Sequence, residues 1–155
     1  MKPGPPPLRP FGLVLHHDGR WSHEGQPIRN RKLREHFDRS VDYLPVEHKH
    51  VVRLGHFRGE IEVEEAGFFV REVDLDAGEV LLSDGSRAPL DVASLDTSDI
   101  DGALLCRVKY DLEPSGLLAR FTHAAQAELL GAVDEGEGGT PVLLLAGDEV
   151  PLPEF

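Results

Sequence analysis

Short turn signals divide this chain of 155 residues into strands that lie close together in the sequence. Asp18-Gly19, Asp76-Ala-Gly78 and Ser83-Asp-Gly85 each stand between runs in which apolar and polar residues alternate. Glycine in such a turn supplies the positive φ angle that a tight hairpin needs. Because only antiparallel strands can be joined by so few residues, the sequence predicts an α+β, β-rich fold rather than a parallel βαβ series.

The first turn predicts a β-hairpin, with the Asp-Gly pair at the two central positions of a type I′ turn. That register places His16 opposite Trp21 and Val14 opposite His23, with all four side chains on one side of the hairpin. Trp21 is the only tryptophan of the chain. On a hairpin it is a candidate either to pack in the core or to floor a ligand pocket beside the two histidines.

A helix should follow the hairpin. Leu33, Phe37 and Val41 recur every four residues, Asn30 precedes them as a candidate N-cap, and Pro45 is a stop signal. Alternating residues then predict strands over 48–57 and 60–65.

The second half of the chain should begin with a three-stranded meander over residues 67–90. Two more strands are expected, over 103–108 and 142–145. A second helix is expected after Pro114-Ser115. Its apolar stripe is formed by residues three or four positions apart: Leu118, Phe121, Ala125 and Leu129.

The predicted organisation is a flexible, proline-rich arm over 1–10, an N-terminal half over 11–66 and a C-terminal half over 67–155, the two halves forming one compact unit. A partial repeat links the halves. A tight turn lies upstream of a proline–aliphatic pair in both His17-Asp-Gly…Gln26-Pro-Ile28 and Ser83-Asp-Gly…Ala88-Pro-Leu90. By itself this pattern is weak evidence for a two-lobed fold made from a duplicated motif of hairpin, strands and helix, because Asp-Gly turns and prolines are common.

Charge and composition exclude several classes of protein. The formal net charge is −12, which argues against general nucleic-acid binding because that needs a basic surface. The longest aliphatic stretch, Val142–Ala146, is far shorter than a membrane span, and no apolar secretory segment follows Met1. With one cysteine, Cys106, neither an intramolecular disulfide nor a cysteine-based zinc site can form. We therefore expect a cytoplasmic protein without a membrane partner.

No catalytic motif is complete. His23-Glu24 begins like a metalloprotease helix, but Pro27 stands where the second histidine should be. Cys106 lies in an apolar run typical of a buried, inert thiol. The sequence therefore favours a protein that is not an enzyme and has no cofactor.

Histidines provide the alternative of a metal site. Seven of the eight lie between residues 16 and 56. His48 and His50 would share a face of a strand, and His16 and His23 a face of the hairpin. Four imidazoles arranged in this way would make a zinc-binding protein or a metal-dependent enzyme.

Positive charge is concentrated in one segment. Residues 29–58 carry a balance of +4, whereas the rest of the chain carries −16. Arg29, Arg31 and Lys32 crowd the start of the first predicted helix, where cations oppose the helix dipole. Two interpretations fit this arrangement: the side chains reach solvent or pair with acidic residues elsewhere, or the end of the helix meets a bound phosphate or carboxylate, or an acidic partner protein.

Four segments resemble the bacterial family called domain of unknown function 1285 (DUF1285). Residues 18–28, Asp-Gly-Arg-Trp-Ser-His-Glu-Gly-Gln-Pro-Ile, are similar to its opening signature. Residues 61–68, 116–125 and 145–152 are similar to its acidic strand, late helix and closing strand. The resemblance implies a duplicated α+β fold whose second half is superficially like a pleckstrin-homology domain. It also implies a nucleotide-like ligand between the halves and a role in signal transduction, with Arg107 and Arg120 at basic positions of the family.

These observations lead to one predicted function and two alternatives. The favoured one is a non-enzymatic binding or signalling module for a small anionic, nucleotide-like ligand held between the two halves. Trp21 would stack on that ligand, His23 would hydrogen-bond to it, and its phosphates would meet Arg107 and Arg120, or as a second choice Arg29 and Arg31. The alternatives are the zinc protein and an adaptor that binds a partner protein through its basic helix.

Overall fold

A computed structural model describes residues 9–155, with the backbone alone at residues 9, 10 and 57. The fold is a strand-rich mixture of α and β structure, with two α-helices in the described range. Residues 1–8 of the predicted arm lie outside the described residues, and residues 9 and 10 already belong to the first strand. The chain divides into two units, the first ending at Gly67 and the second beginning at Phe68. Within the described range, no helix has the length and apolar character needed to cross a membrane.

The first unit is one six-stranded sheet with one helix. Its strand order is β3-β2-β1-β6-β5-β4. The central pair β1 and β6 is parallel, and the other neighbours are antiparallel. The elements are β1 (Arg9–Leu15), β2 (Trp21–His23), β3 (Gln26–Pro27), α1 (Arg31–Ser40), β4 (Val41–Leu44), β5 (Lys49–Leu54) and β6 (Phe57–Val63).

The turn that joins β1 to β2 has three residues, 17–19, between the hydrogen-bonded His16 and Arg20, rather than the predicted two. The backbone N–H of His16 donates to the carbonyl of Arg20 at 2.8 Å, and that of Gly19 donates to the carbonyl of His16 at 3.0 Å. Within the loop, only Gly19 has a positive φ, at 91°. This is a turn closed by one left-handed glycine, so the predicted type I′ turn is wrong.

The additional loop residue shifts the hairpin register by one position. Leu15 faces Trp21, and Val14 faces Ser22. The predicted pairing of His16 with Trp21, and of Val14 with His23, is therefore wrong. Because side chains alternate between the faces of a strand, the shift moves Trp21 to the face of Leu15, away from His16.

Helix α1 begins where the sequence predicts. Asn30 is its N-cap, and the side-chain oxygen of Asn30 accepts a hydrogen bond from the Leu33 N–H at 3.1 Å. The helix ends at Ser40, earlier than predicted. Val41 has an extended backbone and opens β4, where its side chain is buried.

The second unit contains another six-stranded sheet, with the order β10-β11-β12-β7-β8-β9, and a separate three-stranded sheet, β13-β14-β15. Strands β7 and β12 are parallel. The elements are β7 (Phe68–Asp74), β8 (Glu79–Leu82), β9 (Arg87–Pro89), β10 (Asp96–Thr97), β11 (Leu104–Val108), β12 (Leu117–Phe121), α2 (His123–Gly131), β13 (Asp134–Glu135), β14 (Pro141–Leu145) and β15 (Asp148–Pro151).

The first part of the predicted second helix is a strand. Leu117, Ala119 and Phe121 alternate along β12 and are all buried, which is the two-residue period of a sheet. Helix α2 begins only after Thr122, whose hydroxyl accepts a hydrogen bond from the Ala125 N–H at 3.2 Å. The prediction that residues 118 and 121 share a helical stripe is therefore wrong, whereas Ala125 and Leu129 do form the buried side of α2.

The two six-stranded sheets have the same strand order. In each sheet the first and last strands form the central parallel pair, and the second and third strands extend outward from the first. Pro27 and Pro89 lie on the corresponding edge strands β3 and β9. The helices do not correspond, because α1 lies between the third and fourth strands whereas α2 follows the sixth.

Gly59 of β6 provides a test of this packing. A Cβ atom there would lie 1.8 Å from Cδ2 of Phe11, so the aromatic ring rests directly on the glycine backbone. Since such an overlap must displace the ring, we expect Gly59→Ala to lower the free energy of unfolding by about 1–3 kcal/mol in a urea titration. The matched control is Gly131→Ala, where a Cβ meets nothing within 4 Å. Equal stability of wild type and Gly59→Ala would contradict the described packing.

Candidate ligand-binding site

A cavity of about 390 Å³ lies in the first unit, where α1 packs over the sheet. Six of its lining side chains are hydrocarbon, and the seventh is an imidazole. They come from β1, β2, α1, β5 and the segment before α1: Phe11, Leu13, His23, Ile28, Leu33, Phe37 and Leu54. This size and composition are typical of a site for a small ligand.

The hairpin register positions the only polar side chain of the cavity. Leu13 pairs with His23 across β1 and β2, so both side chains lie on the same face of the sheet. Phe37 forms a buried wall, at 7% exposure, whereas Leu33 is 41% exposed and lies at the open side. The sequence contains no signal for this cavity, because its residues come from separate elements.

Three cations lie in the segment that joins two of the lining residues, Ile28 and Leu33. Arg31 forms an ion pair with Glu35, at 3.0 Å between Nε and Oε1, but its side chain is 83% exposed and the pair contributes little. Arg29 and Lys32 form no ion pair with any residue that the structure describes. The first turn of α1 contains no acidic residue, so the positive end of the helix is not compensated locally.

Trp21 lies in the core behind this cavity, not in it. The indole is 1% exposed, its ring centroid is 5.4 Å from that of Phe37, and its Nε1–H donates to Oδ1 of Asp38 at 2.8 Å. Both faces of the ring are covered by protein. Trp21 therefore cannot stack on a ligand in this conformation, and of its two predicted roles the structure shows core packing.

Arg107 and Arg120 lie on one face of the second sheet. Arg107 opposes Leu118, and Arg120 opposes Leu105, on the adjacent strands β11 and β12. Arg120, predicted in the late helix, is a strand residue, and that part of the prediction is wrong. The side chain of Arg107 donates from Nη1 to the carbonyl of Gly116 at 3.0 Å.

The guanidinium of Arg120 already binds the carboxylate of Asp101. Arg120 is 7% exposed and donates through Nη1 and Nη2 to the two carboxylate oxygens of Asp101, at 3.0 and 2.6 Å. These hydrogen bonds hold the pKa of Asp101 at about 2. An external anion at Arg120 would have to compete with this bidentate pair.

The four histidines of the predicted zinc site are not brought together. His16 hydrogen-bonds through Nε2 to the hydroxyl of Ser22 at 2.9 Å, on the face opposite to that of His23. His48 lies in a turn with a φ of 55°, outside the strand that contains His50. Burial lowers the pKa of His50. Among the described side chains, no group of three or more His, Cys, Asp or Glu is placed to hold a metal ion.

One contact between a carboxylate and a histidine was not predicted. Glu64 accepts hydrogen bonds from the backbone N–H of His17, at 3.2 Å, and from its imidazole Nδ1. The hydrogen bond from the backbone N–H of His17 contributes most to lowering the pKa of Glu64. The contact depends on the parallel pairing of β1 with β6, for which the sequence has no local signal.

Cys106 is fully buried in β11, and burial raises its pKa to about 12. A thiol without solvent access that stays protonated is a poor nucleophile, as the sequence predicts.

Comparison with known proteins identifies the fold. No protein-family model and no curated protein sequence matches the chain. A solved DUF1285 family protein from Silicibacter pomeroyi DSS-3 is 19% identical and superposes with a TM-score of 0.60, over 98% of this chain and 89% of the other. A DUF1285 family protein from Shewanella baltica OS155 is 14% identical, with a TM-score of 0.51 over 79% of this chain and 91% of the other.

This chain has a DUF1285-like fold, and we call it a DUF1285-like domain in that sense. The likeness predicted from four sequence segments is thus confirmed in the fold. At 19% and 14% identity, it concerns the course of the backbone. Roles of individual residues in the DUF1285-like domain have to be argued from its own side chains.

The Asp101–Arg120 pair makes the stability of the domain depend on pH. The pKa of Asp101 falls from 3.8 to about 2 on folding. A lowered pKa stabilises the fold above pH 3.8, and this contribution is lost as the pH falls toward 2. We expect Asp101→Asn to unfold at lower urea concentration than wild type near neutral pH, and the gap to narrow in acid. The control is Asp99→Asn, an exposed carboxylate of the same loop. A gap that is independent of pH would contradict this role.

Proposed function

We propose that this DUF1285-like domain is a non-enzymatic binding module that holds a small anionic ligand in the cavity under α1. One observation carries the proposal: an apolar cavity of about 390 Å³ adjoins a segment with three cations. The apolar walls favour burial of the body of a ligand, at about 25 cal/mol per Å² of apolar surface. Arg29 and Arg31, the second choice for an anion site in the sequence, lie between the lining residues Ile28 and Leu33 along the chain and would meet its charge.

The lining residues support binding rather than catalysis. His23 is the only titratable side chain among them, and general acid–base or nucleophilic chemistry needs at least a second group within hydrogen-bond reach. Cys106 belongs to the other unit and is fully buried. In a signalling role, the ligand would stabilise the position of α1, since Leu33 and Phe37 of that helix line the cavity.

The narrower expectations from the sequence stay predictions. A nucleotide-like ligand is one class of small anion, and a zinc site would need its histidines to move together. We infer that the two halves arose by duplication, which is supported by the common strand order of the sheets and by Pro27 and Pro89 on corresponding edges. The likeness of the second half to a pleckstrin-homology domain stays a prediction.

The adaptor alternative is favoured by a second observation. Lys32, His36 and Arg39 are exposed and follow one another at helical spacing on the solvent side of α1. An acidic surface of a partner protein would complement them. Capture of such a partner should then weaken with added salt and with Lys32→Glu.

A thermal-shift panel of nucleotides, alkyl and aryl carboxylates and divalent metals tests the proposed function. A ligand that binds the native state raises the unfolding midpoint. We expect an anion to raise the midpoint of wild type and to lose this effect in Arg29→Glu/Arg31→Glu. The control is Arg87→Glu, which changes an exposed arginine of the second unit. If no anion raises the midpoint, or if the double variant responds like wild type, the proposal fails.

A further inference from the structure

We propose that the ligand of the α1 cavity is an amphipathic anion, with a hydrocarbon body inside the cavity and a single carboxylate or phosphate head group at its rim. This inference rests on the proposed function and narrows it from any small anion to one chemical class. It departs from the nucleotide-like ligand that the sequence predicts.

The cavity walls favour hydrocarbon over a nucleobase. Six of the seven lining side chains contain only carbon and hydrogen. A purine or pyrimidine presents several hydrogen-bonding groups along its edges, and each one buried without a partner opposes binding. His23 is the single polar side chain that could serve them. An alkyl or aryl body makes no such demand.

The polar atoms behind the wall are already used. Trp21 donates its indole N–H to Asp38 at 2.8 Å, and the Trp21 ring packs on Phe37, which lines the cavity. Neither the indole N–H nor the carboxylate oxygen that accepts it is offered to a ligand. The inner side of the cavity therefore offers a ligand no polar atom from Trp21 or from the Asp38 oxygen that it bonds.

Packing holds three side chains of the cavity wall in place. Leu13 and Phe37 are 5% and 7% exposed, and the Phe11 ring rests on Gly59 with no room for a Cβ. Side chains already held in place reduce the ordering cost of binding. A volume of about 390 Å³ is near the small end for ligand sites, which suits a single short chain rather than a two-chain lipid.

Cations near the rim of the cavity favour an anionic head group. Ile28 and Leu33 line the cavity, and the chain between them contains Arg29 and Lys32, neither of which has an ion pair with a described residue. The balance of residues 29–58 is +4 in a chain of net charge −12. A head group at this rim meets the local excess of positive charge, while the acidic remainder of the chain disfavours anions elsewhere.

Trp21 makes the inference directly measurable. It is the only tryptophan of the chain, and it touches Phe37 of the cavity wall. Its emission should respond to occupancy of the cavity. Decanoate and decyl phosphate, kept below their micelle concentrations, should produce saturable changes. Decanol should bind at least threefold more weakly than decanoate, and adenosine monophosphate should produce no change.

Two leucine variants locate the binding. Leu33 on α1 and Leu130 on α2 are 41% and 45% exposed, so substitution of either by aspartate removes a similarly exposed apolar side chain. Leu33→Asp places a carboxylate at the cavity and should weaken decanoate binding at least tenfold. Leu130→Asp should stay within twofold of wild type. Thermal unfolding of both variants establishes that they are folded at the temperature of the titration.

Each contrary outcome has its own meaning. If adenosine monophosphate binds and decanoate does not, the proposed function stands and the amphipathic ligand is overturned. If no anion in the panel binds, both proposals are overturned. If decanoate binds Leu33→Asp as tightly as wild type, or decanol as tightly as decanoate, the assignment of the cavity or of its charged rim is wrong.

Discussion

The packing of Trp21 joins the helix of the first unit to its sheet. The indole comes from β2, rests on Phe37 of α1 and donates to Asp38 of the same helix. Replacing a buried aromatic residue of this size by alanine typically costs about 3–5 kcal/mol. Since the cavity lies between α1 and the sheet, this contact helps to hold its inner wall in place. Stability and the proposed binding function therefore share one contact.

Part of the fold could be predicted because its signals are local. Asn30 as an N-cap needs only the residues that follow it, and the meander over β7, β8 and β9 needs only its turns. The first hairpin shows the limit. An Asp-Gly pair fits both a two-residue loop and a three-residue loop that closes with a left-handed glycine. The backbone hydrogen bond from His16 to Arg20 shows that the three-residue loop is the one that forms.

The additional loop residue also determines which histidine lies at the cavity. It sets His23 opposite Leu13, on the face that α1 covers, and leaves His16 on the other face with Ser22. The sequence of β12 is ambiguous as well. Leu117 begins a two-residue alternation typical of a strand, whereas Leu118 begins a spacing typical of a helix. Tertiary burial of the alternate residues favours the strand.

The site itself was harder to predict than the fold. Local charge pointed to Arg29 and Arg31, which do adjoin the cavity in sequence. The other predicted ligand contacts have different partners: Trp21 bonds to Asp38, and Arg120 bonds to Asp101. Phe11 and Leu54 reach the cavity only because β1 lies parallel to β6 in the middle of the sheet. That pairing joins residues about fifty positions apart and has no signature in either segment.

The most direct test of the α1 cavity as the binding site is a backbone amide chemical-shift titration of the domain with decanoate. The account predicts saturable shifts that are concentrated at the lining residues, with the largest at Ile28, Leu33 and Leu54, and only small shifts in β11 and β12. Shifts that centre on Arg107 and Arg120, or that spread evenly over both units, would contradict it.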